Sequence, residues 1–188
     1  MRSFVSRGLA VAALLALAGC AGVPLTVPYY DGSYMLGEER VAGDLMPMIL
    51  RGNPFAIPQA ELDADVTDAM AGWSWYAPLR FTTQGNPNAA YRVVMVFNPP
   101  NVPNDTYCLR PMPVQAAFGA APNAARTQVM AALCRGATVL ASASGTIATA
   151  EGPRSTSFRR GIGQFTQALF PPSNPEAETG GCSSGPDC

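Results

Sequence analysis

The chain has 188 residues, of which 48% are hydrophobic, 13 are acidic and 12 are basic, and every basic residue is arginine. Because histidine and lysine are absent, the chain lacks the imidazole base of Ser-His and Cys-His nucleophiles, the amine of Schiff-base and Ser-Lys enzymes, and the lysine of a P-loop. Zinc hydrolase sites normally use histidine ligands and are excluded on the same ground. A chain without a run of basic residues also has no electrostatic footprint for nucleic acid, so we expect no nucleic-acid partner.

The N-terminal residues have the pattern of a secretory signal. Arg2 and Arg7 form a short basic region, an apolar run extends from Leu9 to Ala18, and small residues precede Cys20. The apolar run is much shorter than the ~20 residues that a helix needs to span a bilayer. We therefore predict a signal peptide over residues 1–19 rather than a transmembrane anchor.

The end of this signal, Leu17-Ala18-Gly19-Cys20, resembles the lipobox of bacterial lipoproteins. The resemblance implies that Cys20 becomes the lipidated, palmitate-bearing N-terminus and that the protein contacts a membrane through this lipid. Each buried CH₂ contributes ~0.8 kcal/mol, and more than one acyl chain gives stable anchoring. Ala21, rather than aspartate, follows the cysteine, and the usual sorting pattern of such proteins then implies the outer membrane, facing the periplasm. The alternative is an ordinary secreted protein with a chance cysteine at this position.

Four further cysteines follow, at positions 108, 134, 182 and 188. The cell envelope is oxidising, so an even number of cysteines favours disulfides, and four allow three pairings. Cys108 and Cys134 both fall in the expected folded core, and we predict a disulfide between them; Cys182 and Cys188 then pair within the tail or stay free. A cysteine-only metal site is the alternative, but no two cysteines have the short CxxC spacing. We expect no metal and no other cofactor.

The segment after the signal, residues 20–44, mixes Pro, Gly and acidic residues, which suits an anchor and linker. The aromatic residues Tyr29, Tyr30 and Tyr34 indicate that part of this linker lies on the domain. An apolar run, Leu45–Leu50, is interrupted by Pro47, which favours an edge strand or an extended segment.

A helix is predicted next, because Pro58 suits a first helical position and Gly72 suits the residue after a helix end. Its apolar stripe has helical spacing and consists of Leu62, Val66, Ala69, Met70 and Trp73. The aromatic cluster Trp73, Trp75 and Tyr76 then forms either a lid on the core or an anchor for a protein partner.

The remaining elements are a strand, a hairpin and a second helix. The apolar segment Tyr91–Asn98 predicts an inner strand, and the six prolines of residues 99–125 predict a long loop. Two strands with a two-residue connection follow, and in the second we expect Val139 to share an apolar face with Ala141, Ala143 and Ile147. Apolar residues at helical spacing predict a helix from about Ser155 to Phe170, ended by two prolines.

These elements predict an α+β domain over residues 45–170, a two-layer sandwich of two helices on a sheet of about four strands. We expect residues 171–188, rich in Gly, Ser, Pro and acidic residues, to be a disordered tail. The element order resembles that of small envelope accessory lipoproteins, namely LptE-like proteins of lipopolysaccharide transport, transporter-auxiliary lipoproteins and penicillin-binding-protein activators. The resemblance implies a non-enzymatic accessory, scaffold or assembly factor with an envelope protein partner.

Three groups of residues are candidates for function. Partner contacts are expected at the aromatic cluster and at the basic cluster Arg154, Arg159 and Arg160, although a solvated helix face explains the arginines as well. Three carboxylates at spacing i, i+4 and i+7 share one face of the first helix, at Glu61, Asp65 and Asp68. Since glycoside hydrolysis needs only two acids, the alternative function is a carboxylate-based enzyme acting on envelope glycans. A solvated helix surface explains these acids equally well.

Overall fold

The computed structural model describes residues 29–31, 34, 45–74, 79–109 and 124–171. These residues form an α+β domain with two helices and one mixed six-stranded sheet. The sheet has the strand order β1-β6-β5-β4-β2-β3. In chain order the elements are β1 (Tyr29–Tyr30), β2 (Leu45–Arg51), α1 (Gln59–Met70), β3 (Arg80–Thr82), β4 (Tyr91–Phe97), a 3-10 turn (Asn104–Cys108), β5 (Arg126–Arg135), β6 (Thr138–Ala148) and α2 (Thr156–Leu169).

The described part of the sheet has two strands more than the four expected from the sequence. The additional strands are β1 and β3, which lie at the two edges and are two and three residues long. Runs this short carry no periodicity that distinguishes a strand from a loop. The predicted signal peptide, Cys20 and all of the predicted tail except Pro171 lie outside the described residues.

β2 is an inner strand and not the edge strand that Pro47 indicated. It runs parallel to both neighbours, pairing with β3 over Leu45–Pro47 and with β4 over Met48–Arg51. Each residue of β2 therefore pairs on one side only, and Pro47 lies just before the ladder with β4 begins. The missing N–H of Pro47 consequently removes no hydrogen bond from that ladder.

α1 and α2 cover one face of the sheet. α1 follows Pro58, and Gly72, at a φ of +80°, supplies the left-handed residue after the helix end. α2 begins after Ser155, whose hydroxyl accepts a hydrogen bond from the Phe158 N–H at 3.3 Å. The larger core lies between the helices and the sheet, and its buried members include Met48, Leu62, Val66, Met70, Val93, Met95, Phe97, Leu133, Phe158, Ile162, Phe165 and Leu169.

The opposite face of the sheet is covered by the 3-10 turn. A smaller core lies there and consists of Val94, Val96, Tyr107, Cys108, Met130, Ala132, Cys134 and Val139. Alternate residues of β4 enter the two cores, so both sides of this strand are buried. This position explains why the sequence of β4 is almost continuously apolar.

A β-bulge in the β5–β6 hairpin overturns one sequence expectation. Leu133 pairs with Ala141, whereas Cys134 pairs with Val139, so Leu140 is an extra residue. One extra residue moves the following side chains to the other face of a strand. Val139 therefore packs in the smaller core, while Leu140 and Ala141 both pack under the helices. The expectation that Val139 shares a face with Ala141 is wrong.

Two tyrosines attach the N-terminal segment to the end of α2. The buried Tyr30 hydroxyl donates a hydrogen bond to the Ala168 carbonyl at 2.8 Å, and the Tyr34 hydroxyl donates to the Leu169 carbonyl at 3.4 Å. Carbonyls in the last turn of a helix have no intrahelical partner, so these contacts satisfy them. Burial raises the pKa of Tyr30, which keeps its hydroxyl protonated as a donor.

Candidate functional site

The acidic and basic candidates meet where α1 packs against α2. Arg154 donates from Nε to Asp65 Oδ1 at 3.0 Å and from Nη2 to Glu61 Oε1 at 3.0 Å. Arg159 donates from Nη1 to Asp68 Oδ2 at 2.7 Å. The two charge patterns that stand out in the sequence are therefore partners of each other.

Exposure differs among the members of these ion pairs. The Asp65 side chain is 12% exposed, whereas that of Arg154 is 70% exposed. The hydrogen bond to Asp65, together with the charges of Asp65 and Glu61, raises the pKa of Arg154. Because most of the Arg154 side chain is exposed to water, its ion pairs contribute little to the stability of the fold.

This pairing changes the interpretation of both sets of residues. Glycoside hydrolysis needs two carboxyl groups that face each other, but Glu61 and Asp65 pair with Arg154, just before α2, and Asp68 pairs with Arg159 of α2. Arg154 and Arg159 are likewise engaged within the chain. Arg160 is exposed and forms no ion pair with any described residue.

Trp73 is part of the same helix–helix contact. Its side chain is half-buried, and a Cβ placed on Gly163 of α2 would overlap the indole ring. Gly163 thus admits the ring at a cost in helix propensity of up to ~1 kcal/mol relative to alanine. Trp73 thus lies against α2, and Trp75 and Tyr76 lie outside the described residues. The aromatic cluster as a lid on the core or as an anchor for a protein partner stays a prediction.

A disulfide joins the 3-10 turn to the sheet. Cys108 and Cys134 are fully buried, and their Cα atoms lie 5.6 Å apart, within the usual range for a disulfide. The bond holds the described part of the proline-rich loop against β5. It lies inside the smaller core and forms part of its packing.

Arg92 is a buried residue that the sequence analysis did not identify. It is 1% exposed and lies opposite Cys134 in the β4–β5 register. Its Nη2 donates to the Cys108 carbonyl at 2.6 Å, and its Nη1 donates to the Gly136 carbonyl at 2.9 Å. The guanidinium therefore links the disulfide turn and the β5–β6 turn to β4. The sequence does contain a signal that could have identified Arg92, namely an arginine inside an apolar run. A charged group at such a position needs polar partners when it is buried.

A groove borders the disulfide turn. It has a volume of about 470 Å³ and is lined by Tyr29, Asp31, Pro103, Asn104, Asp105, Ala137, Thr138 and Val139. Two carboxylates, Asp31 and Asp105, thus line one concavity between β1 and the turn. The sequence did not reveal this pair because Asp31 falls in the expected linker and Asp105 in the expected loop.

Neither a metal site nor a membrane span is found among the described residues. They contain no group of three or more His, Cys, Asp or Glu side chains that could hold a metal ion. Neither of the helices described here is long and apolar enough to cross a membrane.

Comparison with known proteins does not assign this chain to a family. No family model matches the chain, and no curated protein matches it. A solved structure with partial similarity is a PelC dodecamer from Paraburkholderia phytofirmans, at 14% sequence identity and a TM-score of 0.40, covering 79% of this chain and 96% of that chain. A TM-score this low does not establish a common fold.

Proposed function

We propose that this protein is a lipid-anchored lipoprotein of the cell envelope that acts non-enzymatically as an accessory, scaffold or assembly factor of an envelope complex. Its acylated Cys20 holds it in the outer membrane, facing the periplasm. The observation that carries the non-enzymatic role is the engagement of Glu61, Asp65 and Asp68 by Arg154 and Arg159. The three acids that the sequence offers for catalysis are therefore paired with arginines in α2 and just before it.

The proposed compartment agrees with the cysteine chemistry. A fully buried disulfide between Cys108 and Cys134 is a structural bond of the kind that persists in oxidising compartments such as the periplasm. The signal-like residues 1–19 would direct the protein to that compartment, and Cys20 of the lipobox-like Leu17-Ala18-Gly19-Cys20 is the proposed site of lipid attachment.

Palmitate labelling in cells tests the anchor. We expect label in the wild-type protein, none in Cys20→Ala, and full label in the matched control Cys182→Ala, which removes a cysteine outside the lipobox. Equal labelling of Cys20→Ala, or no labelling of the wild type, would contradict lipid anchoring. Recovery of the labelled protein solely in inner-membrane fractions would contradict the outer-membrane assignment.

An acidic triple variant tests the non-enzymatic role. Glu61→Gln, Asp65→Asn and Asp68→Asn remove the three charges with little change in side-chain volume. We expect the variant to complement a deletion strain as the wild type does, once its folding and membrane attachment have been verified. Loss of complementation by a folded, correctly localised variant would contradict the proposal.

A carboxylate-based enzyme acting on envelope glycans is the second candidate function. The observation that favours it is the presence of Asp31 and Asp105 in the lining of one groove. Most glycosidases use a pair of carboxyl groups at the bond that they cleave. The double variant Asp31→Asn with Asp105→Asn distinguishes the two candidate functions. If the protein is such an enzyme, the variant should fail to complement a deletion strain; if it is an accessory protein, the variant should complement as the wild type does. The matched control is Asp63→Asn with Glu151→Gln, which removes two acidic charges that do not line the groove.

A further inference from the structure

Charge is divided between the sheet and the rest of the described domain. The six strands contain five arginines and no aspartate or glutamate, and every described acidic residue lies in a helix or a connecting segment. Arg51, Arg80 and Arg126 are exposed and form no ion pair with any described residue. Their guanidinium groups are therefore able to contact an anionic group outside the chain.

Arg51 and Arg126 lie at the same end and on the same face of the sheet. β2 runs parallel to β4, and β5 runs antiparallel to β4, so the last residue of β2 and the first residue of β5 are at one end. Leu50 packs under the helices, and Met130 packs in the smaller core. Because side chains alternate along a strand, Arg51 and Arg126 both lie on the face of the smaller core.

The distance between these two arginines favours an extended anionic surface over a single small anion. Arg51 lies level with Met130 through Val96, and Arg126 lies four residues before Met130. Two strand spacings and the rise of four residues place the two arginine Cα atoms about 16 Å apart. Between them on the same face lies Gln128, which is exposed and uncharged. Arg51, Gln128 and Arg126, which we call the arginine end of the sheet, thus form a polar and positively charged surface.

The direction of β1 relates the arginine end to the proposed anchor. β1 pairs antiparallel with β6, whose last residue, Ala148, pairs with Arg126. Tyr29, the first residue of β1, therefore lies on the side of Tyr30 that faces the arginine end. Cys20 precedes Tyr29 by nine residues, which limits the distance between them to about 30 Å. A lipid on Cys20 would consequently keep the domain close to a membrane surface.

We propose that the arginine end lies against the anionic lipids of the membrane and orients the anchored domain there. The inference rests on the proposed function, whose lipid supplies the attachment. An arginine near an anionic bilayer strengthens binding roughly fivefold, so two arginines orient an anchored domain without replacing the anchor. Loss of Arg2 and Arg7 with the signal leaves ten arginines against 13 acidic residues. Since the net charge is then negative, attraction to anionic lipid must come from a local group of arginines.

Arginine footprinting of the lipidated protein tests this contact. Phenylglyoxal, which modifies exposed guanidinium groups, is applied to the protein on phosphatidylcholine vesicles with and without phosphatidylglycerol, and the modified peptides are quantified by mass spectrometry. On the anionic vesicles we expect modification of Arg51 and Arg126 to slow by roughly fivefold. Arg80, at the opposite end of the sheet, and Arg160, on α2, are also exposed and should react at unchanged rates. Any other pattern of protection among these four arginines would overturn the proposal.

Matched double variants separate the arginine contact from the anchor. In an unlipidated Cys20→Ala form of the mature chain, Arg51→Gln with Arg126→Gln should weaken binding to phosphatidylglycerol vesicles roughly 25-fold at low salt. The control, Arg80→Gln with Arg160→Gln, removes the same charge and should leave binding nearly unchanged. Equal weakening by both variants, or no binding of the unlipidated chain at low salt, would overturn the proposal. Failure of the anchor appears instead as loss of binding to pure phosphatidylcholine vesicles by the lipidated protein, so each proposal can fail alone.

Discussion

The two faces of the sheet are held by different means. The face under α1 and α2 buries a cluster of 28 residues among those described, with four pairs of aromatic rings in contact at the positions described. The opposite face buries eight and adds a disulfide and the guanidinium of Arg92. Where the apolar area is small, a covalent bond and charge-assisted hydrogen bonds replace packing. We infer that the helix face is self-sufficient and that the opposite face depends on its cross-link.

The largest expected effect lies in the helix-side core. Phe158 is fully buried, with its ring centroid 5.2 Å from that of Phe55 and 6.2 Å from that of Phe97. Phe158→Ala should lower the free energy of unfolding by about 3–5 kcal/mol, measured by denaturant titration, because it removes a buried ring and leaves a cavity. Phe158→Leu, which keeps much of the apolar volume, should lose less. A loss below about 1 kcal/mol in Phe158→Ala would contradict a tightly packed helix face.

Removing the disulfide should have the next largest effect. Cys108 and Cys134 are separated by 26 positions, and the chain-entropy model assigns a loop of this length roughly 3 kcal/mol of stabilisation. Cys108→Ala with Cys134→Ala should therefore lower the free energy of unfolding by that amount. The control, Cys182→Ala with Cys188→Ala, should leave it unchanged. Equal stability of the two double variants would show that the cross-link does not support the smaller core.

Gly163→Ala should have opposite effects in two backgrounds. In the wild type the new Cβ overlaps the Trp73 indole, and we expect a loss of about 1–3 kcal/mol. In a Trp73→Ala background the overlap is gone, and the same substitution should stabilise the protein by up to ~1 kcal/mol through helix propensity. Additive free energies in this double-mutant cycle would refute the Trp73–Gly163 contact.

The smallest effect is expected from the ion pairs between the helices. Asp68→Asn breaks the contact with Arg159 and should cost about 0.2–1 kcal/mol at low salt. The loss should shrink as the ionic strength rises. Asp63→Asn is the matched control, because Asp63 accepts a hydrogen bond from Gln59 of its own helix at 2.8 Å. A larger loss for the control would contradict the assigned pairing.

The sequence predicted those parts of the fold that repeat a pattern over many residues. The apolar stripes of α1 and α2, the β5–β6 hairpin and the buried strand β4 are local signals of this kind. The class α+β follows from them. The Cys108–Cys134 bond was predicted because only these two cysteines fall in the expected core, and the structure contains it.

The parts that the sequence did not predict depend on contacts between distant residues. β1 and β3 are strands only because a neighbour pairs with them. The ion pair between Arg154 and Asp65 joins residues 89 positions apart, so each charge taken alone resembled a solvated face. The groove with Asp31 and Asp105 arises in the same way, since β1 and the disulfide turn meet only in the folded domain.

Hydrogen exchange before and after reduction of the Cys108–Cys134 bond compares the two faces most directly. In the turn, the Thr106 amide donates to the Pro103 carbonyl and the Leu109 amide donates to the Thr106 carbonyl. We predict that reduction abolishes the protection of Thr106 and Leu109, whereas the amides of Ile162 and Phe165 in α2 stay protected up to the lowered free energy of unfolding. Complete loss of protection in the turn and in α2 together, or no loss in the turn, would contradict the independence of the two faces.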